Sequence, residues 1–197
     1  MSVVSDIHRL AARSVRFAAW DPLLTGARTA GLVRWGPTLS ALVHASALRW
    51  PSRPAVIDDD GTLTYRQLDQ QADRLAAGLR KLPDGAIGLL CRNHRGFPLA
   101  QLAIERSGRN AVMLNTSLPA SQLAQIAQRE ELAVVIADDE FADRLNGVPV
   151  QVVSADDPGA HSRATLAAWP RRRSRVVMLT SGTTGPPKGA RQAEQRP

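Results

Sequence analysis

Lysine is nearly missing from this 197-residue chain: it stands only at Lys81 and Lys188, so arginine carries almost all the positive charge. Cysteine occurs once, at Cys91, which excludes an internal disulfide. Its place in the apolar run Ile87-Gly88-Leu89-Leu90-Cys91 reads as packing rather than catalysis. Long hydrophobic runs are lacking too. The longest aliphatic stretch, 132–137, falls far short of the roughly 20 residues that cross a bilayer, and the first residues lack a secretory apolar core. The expectation is a cytoplasmic protein that does not span the membrane. What the chain does have is 44% apolar and 22% charged residues, enough for a packed core.

The formal charge of +7 invites a nucleic-acid reading, and its distribution argues against a specific one. Residues 1–53 carry a net +5, residues 54–170 a net −4 and residues 171–197 a net +6, so the middle is mildly acidic. The arginine bias, set beside abundant alanine, has a bland source in coding composition. The run Arg171-Arg172-Arg173 reads as a solvated loop before a strand.

Residues 1–50 read as a helical arm. Val4, Ile7, Ala11, Val15 and Ala18 recur at three- and four-residue steps, while Arg9, Arg13 and Arg16 share another face. Such a basic amphipathic helix either packs on the following domain or touches anionic lipid, giving a peripheral membrane contact through residues 4–18. A second helix is expected over Thr38 to Trp50, stopped by Pro51 and Pro54.

From Ala55 the pattern alternates. Ala55 to Ile57, the turn Asp58 to Gly61 and Thr62 to Thr64 predict a hairpin. Thr64-Tyr65-Arg66-Gln67 fits a capping box, opening a helix whose stripe is Leu68, Ala72, Leu75, Leu79 and Leu82, ended by Pro83-Asp84-Gly85. Strands are expected at about 86–91, 111–114, 133–137, 150–153 and 175–179, with helices at about 96–107 and from Pro119. Continuous apolar strands between helices predict an α/β fold with a mostly parallel sheet covered on both faces.

The strand ending at Leu179 runs into Thr180-Ser181-Gly182-Thr183-Thr184-Gly185-Pro186-Pro187-Lys188-Gly189. Glycines admit close backbone approach to an anion, hydroxyls donate to phosphate oxygens, and Lys188 adds a compact cation. The spacing is not that of a Walker A loop, which places glycine directly before the lysine and a helix after it. Pro186 and Pro187 disfavour a helical entry, so strand–loop–strand is expected.

This ten-residue string resembles the signature phosphate loop of the AMP-binding, adenylate-forming superfamily, which joins acyl-CoA synthetases, peptide-synthetase adenylation domains and beetle luciferases. The resemblance extends over roughly residues 38–192. Leu63-Thr64-Tyr65-Arg66-Gln67-Leu68 is similar to the family's entry to its first core helix. Arg92-Asn93-His94 and Asn110 to Pro119 look like its asparagine-marked junctions, where asparagine is expected to end strands and cap helices. The phrases from Cys91 to Phe97 and from Leu114 to Pro119 look most like fatty acyl-CoA synthetases.

The resemblance implies a partial AMP-binding domain over 51–197, following the helical arm read over 1–50. It implies a ligase of fatty-acid and lipid metabolism that joins a carboxylate to AMP, releases pyrophosphate and passes the acyl group to coenzyme A. Ser181, Gly182, Thr183, Thr184, Gly185 and Lys188 would hold the outer phosphates of ATP, and Thr180 matches a hydroxyl that helps bind magnesium in some relatives. After Gly189 come eight residues, Ala190 to Pro197, with no counterpart of the family's adenine pocket, ribose-holding aspartate or lid lysine. The expectation is therefore a truncated synthetase, catalytically incomplete by itself. A second reading is a non-catalytic half-domain that pairs with a full synthetase or with its own kind. A third is a basic, membrane-peripheral protein.

Overall fold

Apolar strands without polar alternation require cover on two sides, and the chain provides it with helices drawn from both directions along the sequence. The computed structural model describes residues 38–155, 174–180 and 188–191, with Gly26, Trp35 and Gly36. The stripe expected over residues 4–18 lies outside the described residues.

Helix α1 (Leu39–Arg49) begins at Thr38, whose hydroxyl accepts the Ala41 N–H at 3.4 Å. Strands β1 (Pro54–Asp58) and β2 (Gly61–Thr64) form the expected antiparallel hairpin. Gly61 takes a φ of 106° at its turn, a conformation glycine adopts without steric cost. Helix α2 (Tyr65–Leu79) opens on the expected capping box: Thr64 N–H donates to Gln67 Oε1 at 2.8 Å, and Gln67 N–H returns to Thr64 Oγ1 at 3.3 Å. The apolar stripe outlasts the helix, since Leu82 lies beyond the final residue Leu79.

Strand β3 (Ala86–Leu90), helix α3 (Gly96–Ser107), strand β4 (Ala111–Met113), helix α4 (Ala120–Arg129) and strand β5 (Leu132–Ala137) follow as expected. A 3-10 helix over Asp139–Leu145, not expected from the pattern, precedes β6 (Gln151–Ser154). Strands β7 (Val176–Thr180) and β8 (Lys188–Arg191) complete a six-stranded sheet in the order β6-β5-β3-β4-β7-β8. The first five strands of that order are parallel and β8 is antiparallel.

Side-chain alternation divides the core. Ile87, Leu89, Val134 and Ile136 pack with Leu75 and Leu79 of α2 and Leu99 and Leu102 of α3. Leu90, Val112 and Val135 face the other way, toward Leu123 and Ile126 of α4 and Phe141 and Leu145 of the 3-10 helix. Among the described residues no helix is long and apolar enough to cross a membrane.

The asparagine expectation needs correcting. The residues at the N-caps of α3 and α4 are Arg95 and Pro119, and neither gives a side-chain cap. Asn115 instead closes a turn, accepting the Ser117 N–H at 2.9 Å, and Asn110 Oδ1 accepts the Arg175 N–H at 3.1 Å, joining β4 to β7. These asparagines stand just outside the strand ends, too far upstream to reach a helix N-terminus.

Candidate functional site

In a parallel sheet every strand delivers its following loop to one edge, and ligands of open α/β sheets lie beyond the carboxyl ends of the strands. Strand β7 runs parallel to β4 in the register Ala111↔Val176 and Val112↔Val177, so Thr180 emerges at that carboxyl edge. Strand β8 then turns back along β7, pairing Leu179 with Gly189 and Thr180 with Lys188. The expected strand–loop–strand geometry is therefore present. It brings two of the residues singled out in the sequence, Thr180 and Lys188, opposite one another at the base of the loop. Ser181, Gly182, Thr183, Thr184 and Gly185 lie outside the described residues.

The same edge carries charged groups for which the sequence suggested no chemical role. The β3–α3 turn presents Arg92 and His94, and the segment after β5 presents Asp138 and Glu140. Buried Asp138 accepts the Arg92 N–H at 2.7 Å on one carboxylate oxygen and meets His94 Nε2 at 2.8 Å on the other. The Gly96 N–H donates to His94 Nδ1 at 3.1 Å, so that nitrogen is an acceptor and Nε2 carries the proton toward Asp138. With both ring nitrogens engaged, His94 is a fastener between β3 and β5 rather than a free base. A Cβ at Gly96 would sit 2.8 Å from the Ala155 carbonyl oxygen, so this turn also needs a residue without a side chain.

Further out, the Arg92 guanidinium pairs with Glu140, an exposed contact that holds the Glu140 carboxyl below its ordinary range. Arg95 grips Asp58 of the β1–β2 hairpin through its side chain and its backbone N–H, the latter at 2.8 Å. Hydrogen bonding from Arg95 is the main reason the Asp58 carboxyl is held down to about 2. The signal for this edge was present in the sequence as Arg92 to His94 after one apolar strand and Asp138 to Glu140 after another. It becomes readable only once β3 and β5 are known to be parallel neighbours.

Cys91 is buried, its thiol 3.7 Å from the Ile136 carbonyl oxygen, which fits the packing role expected for it. Among the described residues no group of three or more histidine, cysteine or acidic side chains is gathered to hold a metal.

Comparison with known proteins bears on the whole of this region. The family model described as AMP-binding enzyme matches residues 43–193. Phosphinothricin tripeptide synthetase PhsC of Streptomyces viridochromogenes is 33% identical over 151 residues, a match covering 71% of this chain and 14% of that protein. The o-succinylbenzoate CoA synthetase MenE of Bacillus subtilis, solved with its acyl-adenylate intermediate OSB-AMP, superposes with a TM-score of 0.65 at 26% identity. That likeness covers 76% of this chain and 41% of the MenE chain. The N-terminal subdomain of Klebsiella oxytoca NpsA shares the fold, with a TM-score of 0.66 at 24% identity over 78% of this chain and 40% of its own. The chain thus spans well under two thirds of the length of each of these three proteins.

Proposed function

We propose that this chain, which belongs to the AMP-binding enzyme family, supplies the phosphate-holding edge of an enzyme that activates a carboxylic acid as its adenylate. The observation that carries this reading is the pairing of Thr180 with Lys188 at the carboxyl edge of the parallel sheet. A loop of glycine and hydroxyl residues closed at its base by these two can surround an anion with backbone N–H groups, hydroxyls and one ammonium. In adenylate formation the charge grows on departing pyrophosphate, and such donors act by positioning ATP and neutralising that charge. Ser181, Gly182, Thr183, Thr184, Gly185 and Lys188 are the residues assigned to the outer phosphates, with Thr180 at the entry to the loop. Magnesium would neutralise further phosphate charge when bound, with Thr180 as the residue facing it. Transfer to coenzyme A belongs to the acyl-CoA synthetase version of this reading.

The acid itself is open to two finer assignments. The phrases at Cys91 to Phe97 and Leu114 to Pro119 favour a fatty acid, whereas the curated relatives, PhsC and the nonribosomal peptide synthetase atnA of Emericella nidulans among them, are peptide synthetases. The coarser class, adenylation of a carboxylate, serves both.

Amide-shift titration with pyrophosphate, ATP and AMP tests the proposal. Shifts should cluster at residues 180–188, be larger for pyrophosphate and ATP than for AMP, and fade in Lys188→Ala. Binding by one loop is expected to be weak, on the order of millimolar, or about 4 kcal/mol. An equal response to AMP, or shifts confined to residues 171–175, would overturn it.

A further inference from the structure

Helix α1 rests on α2 and α3 in an unusual way. Its larger apolar side chains face outward, with Leu42 60% and Leu48 57% exposed, while the residues it buries are small: Ser40, Ala41, Val43, Ala45 and Ala47. Only Val43 of this helix joins the apolar cluster beneath the sheet. The seat is fastened by polar groups instead. The Ser40 N–H, in the first turn of α1, donates at 3.0 Å to Glu105 of α3, a carboxylate that is only 8% exposed. One turn further along, His44 Nδ1 lies 3.1 Å from Asp69 of α2.

Asp69 is in turn bonded at 2.6 Å by Arg106, which is fully buried and also reaches Asp73 at 2.8 Å. The Trp35 ring stacks over that guanidinium at 4.9 Å and meets the His44 ring edge-on at 4.9 Å. The titratable groups of this seat are His44 from α1, Asp69 and Asp73 from α2, and Glu105 and Arg106 from α3. Arg80, just past α2, bonds the Arg106 carbonyl oxygen. Three carboxylates thus meet one buried arginine, and the charge balance moves toward neutral when Glu105 holds a proton.

We infer that α1 is a strap gated by protons, seated firmly in mildly acidic solution and loosening as pH rises. The direction follows from the two carboxyls. Burial pushes Glu105 up, so the seated state holds its proton more tightly than an opened one, and that stabilisation is lost as pH rises through the raised value. Burial also pushes Asp69 up, but the His44 hydrogen bond and the Arg106 charge more than offset it and leave Asp69 lowered. Its contribution is lost only as pH falls below the ordinary aspartate range. The strap is therefore tightest between the two.

Hydrogen exchange of the full chain, corrected for intrinsic rates and read by mass spectrometry, tests this. Peptides over 39–49 should lose roughly tenfold protection relative to peptides over 86–90 as pH rises above the ordinary glutamate range. Glu105→Gln should flatten that dependence. A flat profile in the unaltered chain, or an unchanged slope in Glu105→Gln, overturns the inference. Should Glu105→Gln fail to fold, carbon NMR of the unaltered chain decides: Glu105 must titrate above the ordinary glutamate range together with the amides of α1. Titration in the ordinary range with a static α1 would sink it.

Discussion

The two faces of the sheet are built on different principles. Under α4 and the 3-10 helix the contacts are apolar, with Leu123, Ile126, Phe141 and Leu145 closing on Leu90, Val112 and Val135. The α1–α2–α3 side has an apolar floor, but its outer layer is joined by buried charge centred on Arg106. The first kind of contact is strong wherever water is excluded; the second holds only while its charges are matched. One molecule thus pairs a side that responds to volume with a side that responds to protonation.

The sharpest way to break the contrast is Arg106→Met, which leaves the half-buried Asp69 and Asp73 without their cation and should cost about 3 kcal/mol in denaturant unfolding. Adding Asp69→Asn and Asp73→Asn should restore part of that loss; a simple cavity effect would not respond to them. On the other face, Phe141→Ala should cost about 3 kcal/mol with little pH dependence between about pH 5 and 8. A strong pH dependence there would erase the distinction between the faces.

Gly88→Ala probes the same apolar side from within the sheet. Its Cβ would come within 2.8 Å of Leu114 Cδ1 and 3.1 Å of Val135 Cγ2, so overpacking should cost about 1–2 kcal/mol by thermal or chemical unfolding. The smallest effect is expected at the carboxyl edge. Asp58 is lowered to about 2 by Arg95, so the grip between hairpin and α3 is fully present above the ordinary aspartate range and is lost as pH falls toward 2. Asp58→Asn should remove this acid sensitivity from exchange rates over 54–64 and leave the rest of the chain unchanged.

The elements that were legible in the sequence share one property: their cues are local. The capping box at Thr64 and Gln67, the stripe from Leu68 to Leu79 and the apolar run of β5 all depend on neighbours a few residues away. Arg106 was opaque for the opposite reason. By position it is a charge in the last turn of α3, a place that ordinarily faces water, and its partners Asp69 and Asp73 come from another helix. The 3-10 helix hid because its burial rests on two side chains, Phe141 and Leu145, rather than on a sustained stripe. Of the candidate site, Thr180 and Lys188 came together because proline chemistry at 186 and 187 already argued for a second strand. The carboxyl-edge ion pairs required a strand order that local pattern does not contain.

The link between Asn110 and Arg175 joins residues 65 positions apart, and β7 enters the sheet only beyond it. In kinetic terms this separates two stages of assembly. Strands β3 and β4, joined through α3, close a short span, whereas β7 has to pay the closure entropy of a long one before any contact rewards it. By this reasoning the edge that carries Thr180 and Lys188 is the last part of the parallel sheet to mature, formed on a surface the other strands have already made. Pulsed exchange during refolding that found 176–180 protected before 111–113 would contradict that order.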